Sequence, residues 1–161
     1  MKTEELFRLA TKYLEKNDFN VDHTKRVLNI AKQNFTIPEE MQELLYSAII
    51  LHDIGGSEIN DQYEKGPAIA TKLLKQLEYS DNIINEICQM IRTHHEKLEN
   101  PSEAFKILYD ADQLAKFSKE EFSHYNSKSG FNWEAITNSM YAESSKKLAT
   151  EMLNQRKQEV S

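Results

Sequence analysis

The chain has 161 residues, which suits one domain of ordinary size, and its four glycines and three prolines are too few for a fold built of hairpins and tight turns. A net charge of −6 argues against DNA or long RNA as a partner, and a mean hydropathy of −0.68 argues against a membrane span. Seven Phe, seven Tyr and one Trp can build an apolar core, so disorder is also excluded. We therefore predict an all-α fold: a compact, single-domain bundle of seven to eight helices over residues 1–161.

Apolar residues recur at spacings of three and four along the chain, which indicates amphipathic helices. The third helix starts at Pro38 and is apolar over most of its circumference, so we expect it at the centre of the fold. Gly55-Gly56 ends this helix, and residues 57–65 form a polar connection. The predicted apolar stripes span residues 6–14, 27–31, 41–51, 69–77, 83–91, 105–114 and 132–152.

Two features mark the last third of the chain. Ser118 and Glu121 have the spacing of a capping box, which predicts the start of a short helix. The final helix is predicted from Asn132 onward, and its charged end, residues 154–161, is expected to fray.

The sequence also gives expectations about location and assembly. The single cysteine, Cys88, cannot form a disulfide within the chain, and residues 1–5 lack the apolar run of a signal peptide, so we expect a cytoplasmic protein. Trp133 and Tyr141 on the last helix can serve either the core or a homodimer interface.

Five histidines occur, and all except His124 lie on helices that are expected to form the core. A single histidine on such a helix is usually an ordinary core or surface residue. His124 lies in the polar stretch 120–130, and we assign it no function.

His52 and Asp53 differ from the other candidates because they adjoin at the end of the most apolar helix. Burying an ionised carboxylate there is costly unless a cation or strong hydrogen bonds compensate it. A divalent metal would do so, with His23 and Asp112 as further ligands. Adjacent helix residues point about 100° apart, so they can share an ion only if it lies in the groove between them or if the last turn loosens, as Gly55-Gly56 would permit. The separation of these residues along the sequence matches no local metal motif. The residues alone therefore leave open whether they form a metal site or are ordinary core residues.

The order of the motifs resembles the HD superfamily of metal-dependent phosphohydrolases, which are all-helical and carry an H…HD…D signature. His23-Thr-Lys-Arg-Val-Leu-Asn-Ile-Ala resembles the first motif, and Leu51-His52-Asp53-Ile54-Gly55 resembles the name-giving one. Ile91-Arg-Thr-His94-His95 is similar to a later Ile-x-x-His segment, and Asp110-Ala-Asp112-Gln-Leu114 to the closing Asp-Ala-Asp-x-Leu.

The resemblance implies that His23, His52, Asp53 and Asp112 hold one divalent ion, which can be Mn, Fe, Co, Ni, Zn or Mg. Dinuclear members have a further histidine near the start of the helix that begins here at Lys65-Gly66-Pro67, and this chain has none between His52 and His94. We therefore expect one ion per chain. In a minority interpretation His94 or His95 completes a second site.

The implied reaction is hydrolysis of a small phosphorylated substrate, preferably a nucleotide, by activated water. Asp53 would both ligate the metal and act catalytically by orienting or deprotonating the water. Arg26, Lys65, His94 and His95 are the candidate substrate-binding residues, although Arg26 can equally form a surface ion pair. Asp110 is expected to orient His23 or His52, or to be solvated.

Two other interpretations stay open. A helical module could bind a nucleotide or metal without hydrolysing it, as a sensor or scaffold. A helical protein with scattered polar core residues would bind no metal at all. The four intact motifs favour the enzyme.

Overall fold

The computed structural model describes residues 2–17 and 19–160, and over these residues the chain is entirely helical apart from turns and loops. Eight of the helices have seven or more residues, which confirms the predicted all-α bundle of seven to eight helices. The helices are α1 (Lys2–Leu14), α2 (Asn20–Asn34), α3 (Glu39–Leu51), α4 (Ile59–Glu64), α5 (Gly66–Gln76), α6 (Asp81–Thr93), α7 (Glu103–Ala115), α8 (Phe122–Asn126), α9 (Trp133–Ser139) and α10 (Glu143–Val160).

Helices α3 and α7 form the centre of the bundle. α3 contacts α1, α2, α6 and α7, as its apolar circumference predicted. α7 is buried along most of its length, including the polar side chains of Asp110, Asp112 and Gln113. α2 packs against α7, so the start of α2, the end of α3 and the middle of α7 lie close together.

The polar connection that was predicted for residues 57–65 contains a short helix, α4. Its sequence has no apolar stripe, and Ile59 is 53% exposed, so no periodic signal marked it. The buried Gln62 side chain holds α4 in place, since its Nε2 donates to the carbonyl oxygen of Gly56 at 2.9 Å.

The helix that was predicted from Asn132 is divided into α9 and α10. The two carboxylate oxygens of Asp110 accept hydrogen bonds from the backbone N–H groups of Tyr141 (2.8 Å) and Ala142 (3.0 Å), where α10 is about to begin. The expectation that Asp110 orients His23 or His52 is therefore wrong, because its carboxylate instead satisfies donors at the start of a helix.

A second apolar cluster joins the C-terminal helices. Trp133 stacks on Phe122 with ring centroids 4.7 Å apart, and its Nε1 donates to Asn126. The Tyr141 hydroxyl donates to the carbonyl of Leu98 at 2.9 Å. Both aromatic residues thus have partners within the chain, and the homodimer stays a prediction.

α10 continues to Val160, while Ser161, the last residue of the tail that was expected to fray, lies outside the described residues. Fraying of this tail stays a prediction. None of the helices described is both long enough and apolar enough to cross a bilayer.

Candidate metal centre

Four of the predicted side chains converge between the start of α2, the end of α3 and the middle of α7. His23 Nε2 lies 3.0 Å from Asp112 Oδ1 and 3.5 Å from Asp53 Oδ2. His52 Nε2 lies 3.2 Å from the same Asp53 oxygen and 3.3 Å from Asp112 Oδ1. Two imidazole nitrogens and two carboxylate oxygens therefore surround one point, as a shared ion would require.

The turn after α3 brings His52 and Asp53 to the same point. Regular helix ends at Leu51, and the backbone continues with bonds from Ile54 N to Leu51 O and from Gly56 N to Asp53 O, both spaced by three residues. Asn17 fixes the turn from outside, since its Nδ2 donates to the carbonyl of Asp53 at 2.9 Å. The change of helix geometry that Gly55-Gly56 suggested is therefore a turn of the 3₁₀ type after Leu51.

Gly55 is required where this turn meets α4. A Cβ at this position would lie 2.5 Å from the carbonyl oxygen of Asp61, 2.8 Å from Gly66 N and 2.9 Å from the Cα of Gln62. All three are backbone atoms, so relief requires the turn and α4 to move apart.

Gly55→Ala is expected to destabilise the protein by about 1–3 kcal/mol and to reduce bound metal, because the displaced turn carries Asp53. Urea unfolding and metal analysis check this. Gly130→Ala is the control: its Cβ meets nothing within 4 Å, so only the φ of +76° opposes it and metal content should not change. Unchanged stability and metal content in Gly55→Ala would contradict this account.

Each of three histidines is oriented through its Nδ1. His52 Nδ1 donates to the carbonyl of Ile49 at 2.5 Å, and His94 Nδ1 donates to that of Ile91 at 2.7 Å. His23 Nδ1 lies 2.9 Å from Oε2 of Glu121. All three rings therefore present Nε2 to the centre, the arrangement that fixes the ring and its tautomer in metal sites.

Glu121 is a site residue that the sequence interpretation missed. Ser118 Oγ accepts from the backbone N–H of Glu121 at 3.3 Å, as a capping box predicts. The fully buried Glu121 carboxylate, however, turns inward to His23 and accepts from Arg26 Nε at 2.7 Å. Its capping-box spacing gave no signal of this second role.

Glu121→Gln is expected to weaken metal affinity by about 10–100-fold, because a neutral amide supports the His23 ring less strongly than a carboxylate. Competition with a chelating dye measures the affinity. Glu120→Gln, at the exposed neighbouring position, is the matched control. Equal affinity in the two variants would exclude the proposed support of His23.

A second group of possible ligands adjoins the first and consists of Asp53, His94 and His95. Asp53 Oδ1 lies 3.5 Å from His94 Nε2, while its Oδ2 faces His23 and His52. His95 Nε2 bonds to Gln62 Oε1 at 2.7 Å, which leaves its Nδ1 on the other side of the ring. Asp53 therefore contacts residues of both groups, through Oδ2 in the first and Oδ1 in the second.

The groups of the first cluster strongly shift each other's pKa. Burial alone would lower the pKa of His23, but hydrogen bonds to Asp112 and Glu121 outweigh it and raise the pKa to about 9. For His52 burial is likewise outweighed, here by the charges of Asp53 and Asp112, which raise its pKa well above the usual value. Although burial opposes it, the charge of His52 holds the pKa of both Asp53 and Asp112 well below the usual range. Without a metal, the cluster is stabilised as imidazolium–carboxylate pairs.

The donor set fits a divalent transition metal. Imidazole nitrogen together with carboxylate oxygen suits first-row ions. The Nε2 atoms of His52 and His94 are buried and make no hydrogen bond of normal geometry within the described structure. Burying a polar atom without a partner costs free energy of folding. The lone pair of each unprotonated Nε2 can instead bind a metal ion.

A cleft of about 260 Å³ opens onto this cluster. Asp53, Asp112, His23 and His95 line the cleft, so the exposed His95 is available to a substrate. The lining also includes aromatic and imidazole rings and two lysines, and we call this part of the lining the cleft wall. The residues of that wall are Phe19, His124, Tyr125, Lys116 and Lys128.

Arg26 and Lys65, two of the candidate substrate-binding residues, do not line the cleft. Arg26 is paired with Glu121, and Lys65 is paired with Asp61 at 3.4 Å with 63% of its side chain exposed. His124, which was assigned no function, lies at the wall with its ring 5.0 Å from that of Phe19.

Comparisons with known proteins give one family match and one structural match. Residues 20–116 match the family model of the HD domain, a span that includes both ligand groups but not Glu121, Tyr125 or Lys128. The chain is similar in fold to the crystal structure of a predicted HD superfamily hydrolase from an uncultured Thermotogales bacterium, with a TM-score of 0.66 and 20% identity, covering 99% of this chain and 87% of that one. No curated protein matches the sequence.

Proposed function

Because the chain belongs to the HD domain family, we propose that it is a metal-dependent phosphohydrolase that acts on a small phosphorylated substrate, preferably a nucleotide. The observation that carries the proposal is the convergence of His23, His52, Asp53 and Asp112 beside an open cleft. The Phe19 and Tyr125 rings in the cleft wall support a substrate that has an aromatic base.

The four side chains would hold one divalent ion, and the group of Asp53, His94 and His95 offers a place for a second. When bound, the metal supplies Lewis-acid activation of the phosphoryl group and of water. The pairing of Asp112 with both His23 and His52 keeps these ligands together, and Glu121 keeps the His23 ring in orientation.

Asp53 is the residue that we assign to proton transfer. Its carboxylate lines the cleft and 18% of its side chain is exposed, so it can accept a proton from a water molecule in the cleft. The water oxygen forms a bond to phosphorus, the bond from phosphorus to the leaving oxygen breaks, and the leaving oxygen takes up a proton. The products are a phosphate and an alcohol, or two phosphates when the substrate is an anhydride.

A hydrolysis screen tests the proposal. The protein would be assayed with Mn, Co, Ni and Mg against p-nitrophenyl phosphate, nucleoside mono-, di- and triphosphates, pyrophosphate and a generic phosphodiester. We expect phosphate release from at least one of the phosphomonoesters or anhydrides, and its loss on addition of EDTA. A protein that carries metal but is inert toward all of these substrates would be a binding module. A protein that takes up no metal would be neither a phosphohydrolase nor a metal-binding module.

A further inference from the structure

Two lysines contribute the positive charge of the cleft wall. Lys116 follows Asp112 by four residues at the end of α7, so both side chains project from the same face of the helix. Lys128 approaches from the turn after α8. Their Nζ atoms lie 5.2 and 5.1 Å from the centroid of the Tyr125 ring. Two like charges are therefore held beside one ring at the mouth of the metal centre.

Lys116 is available to a ligand in a way that the predicted cations are not. Arg26 and Lys65 are occupied by Glu121 and Asp61. In the part of the chain that the structure describes, the partly buried Lys116 ammonium makes no ion pair and lies over the Tyr125 ring. Its charge also contributes to the low pKa of Asp112, after the larger effects of burial and of His52, so it lies near the ligand group.

The charge of the site favours such a cation when a single metal ion is bound. A divalent ion that is held by two ionised carboxylates and neutral imidazoles has no net charge left for a phosphate dianion. Placing that dianion in the cleft without a further positive group would be costly. An ammonium that has no carboxylate partner and lines the same cleft as the ligands supplies the missing charge and hydrogen-bond donors.

We propose that Lys116 binds the phosphoryl oxygens of the substrate beside the metal centre, and that Lys128 adds a weaker contact at the mouth of the cleft. This inference rests on the proposed function for the identity of its ligand, a phosphoryl group. It assigns the principal role in phosphate binding to Lys116, where the sequence had suggested Arg26 and Lys65.

Inorganic phosphate is the probe that tests the inference. Its dissociation constant would be measured by calorimetry on the Mn-loaded protein, together with kcat and KM for p-nitrophenyl phosphate. Lys116→Met is expected to weaken phosphate binding by about tenfold or more and to raise KM, because a charge-assisted contact is lost. Lys116→Arg should recover most of the affinity.

Lys119→Met is the matched control, since Lys119 is exposed, lies outside the cleft and changes the net charge equally. Metal content and thermal unfolding would show that each variant is folded and carries metal. If Lys116→Met does not, Lys116→Gln takes its place. Phosphate affinity in Lys116→Met equal to that of Lys119→Met would overturn the inference.

The outcomes distinguish this inference from the proposed function. Phosphate binding that depends on Lys116, in a protein that hydrolyses nothing, would support the inference and reject the phosphohydrolase. Hydrolysis with a KM and a phosphate affinity that ignore Lys116 would support the phosphohydrolase and reject the inference.

Discussion

Asp53→Asn is expected to lower kcat for phosphate release by about 10²–10⁴-fold, because an amide cannot accept the proton that the carboxylate accepts. The substitution keeps the size of the side chain, which lies between His52 and His94. Steady-state kinetics on metal-loaded protein measures the loss.

Asp22→Asn is the control for this variant, since Asp22 adjoins His23 in sequence and is exposed. It changes the charge equally and should leave kcat near the wild-type value. Equal rates for the two variants would exclude Asp53 from proton transfer.

The chelated protein is expected to lose stability as the pH rises, while the stabilisation that metal adds grows over the same range. Despite its burial, hydrogen bonds to Asp112 and Glu121 raise the pKa of His23 to about 9, above a value of about 6.5 for the unfolded chain. The charged His23 therefore stabilises the folded, metal-free protein by about 3 kcal/mol. This stabilisation is fully present below about pH 6.5 and is lost as the pH rises through about 9. The lowered pKa values of Asp53 and Asp112 change nothing in this window, because both carboxylates stay ionised.

Metal binding must displace protons from His23 and His52, so metal affinity rises over the same pH range. Thermal unfolding between pH 6.5 and 9 would be measured with EDTA and with a fixed, limiting concentration of Zn or Mn. We expect the Tm of the chelated protein to fall and the stabilisation by metal to grow. In chelated His23→Gln the fall should be smaller. Parallel curves with and without metal would contradict the coupling.

Much of the fold could be predicted because periodicity is a local property. The apolar circumference of 41–51 placed α3 at the centre, and Gly55-Gly56 marked its end. The ligand set of the first group could be proposed only through the motif order, since residues 23 and 112 come together through the packing of α2 on α7. Local spacing cannot encode that contact.

The parts that sequence reasoning missed depend on tertiary contacts. Glu121 has the spacing of a capping box, and its buried carboxylate meets its partners His23 and Arg26 only because α2 lies beside it. Gln62 is in a polar stretch without a stripe, and its importance follows from its contacts with Gly56 and His95. Lys116 faces the cleft because four residues separate it from Asp112 on α7, but nothing in the sequence showed that Arg26 would already be paired.

Elemental analysis of the purified chain, after incubation with divalent metal and removal of the excess, is the most direct test of the central claim. The account predicts at least one equivalent of a divalent ion per chain in the wild type, and loss of that equivalent in His52→Ala and in Asp112→Asn while both remain folded. A wild type that retains no metal, or folded variants that retain as much as the wild type, would contradict it.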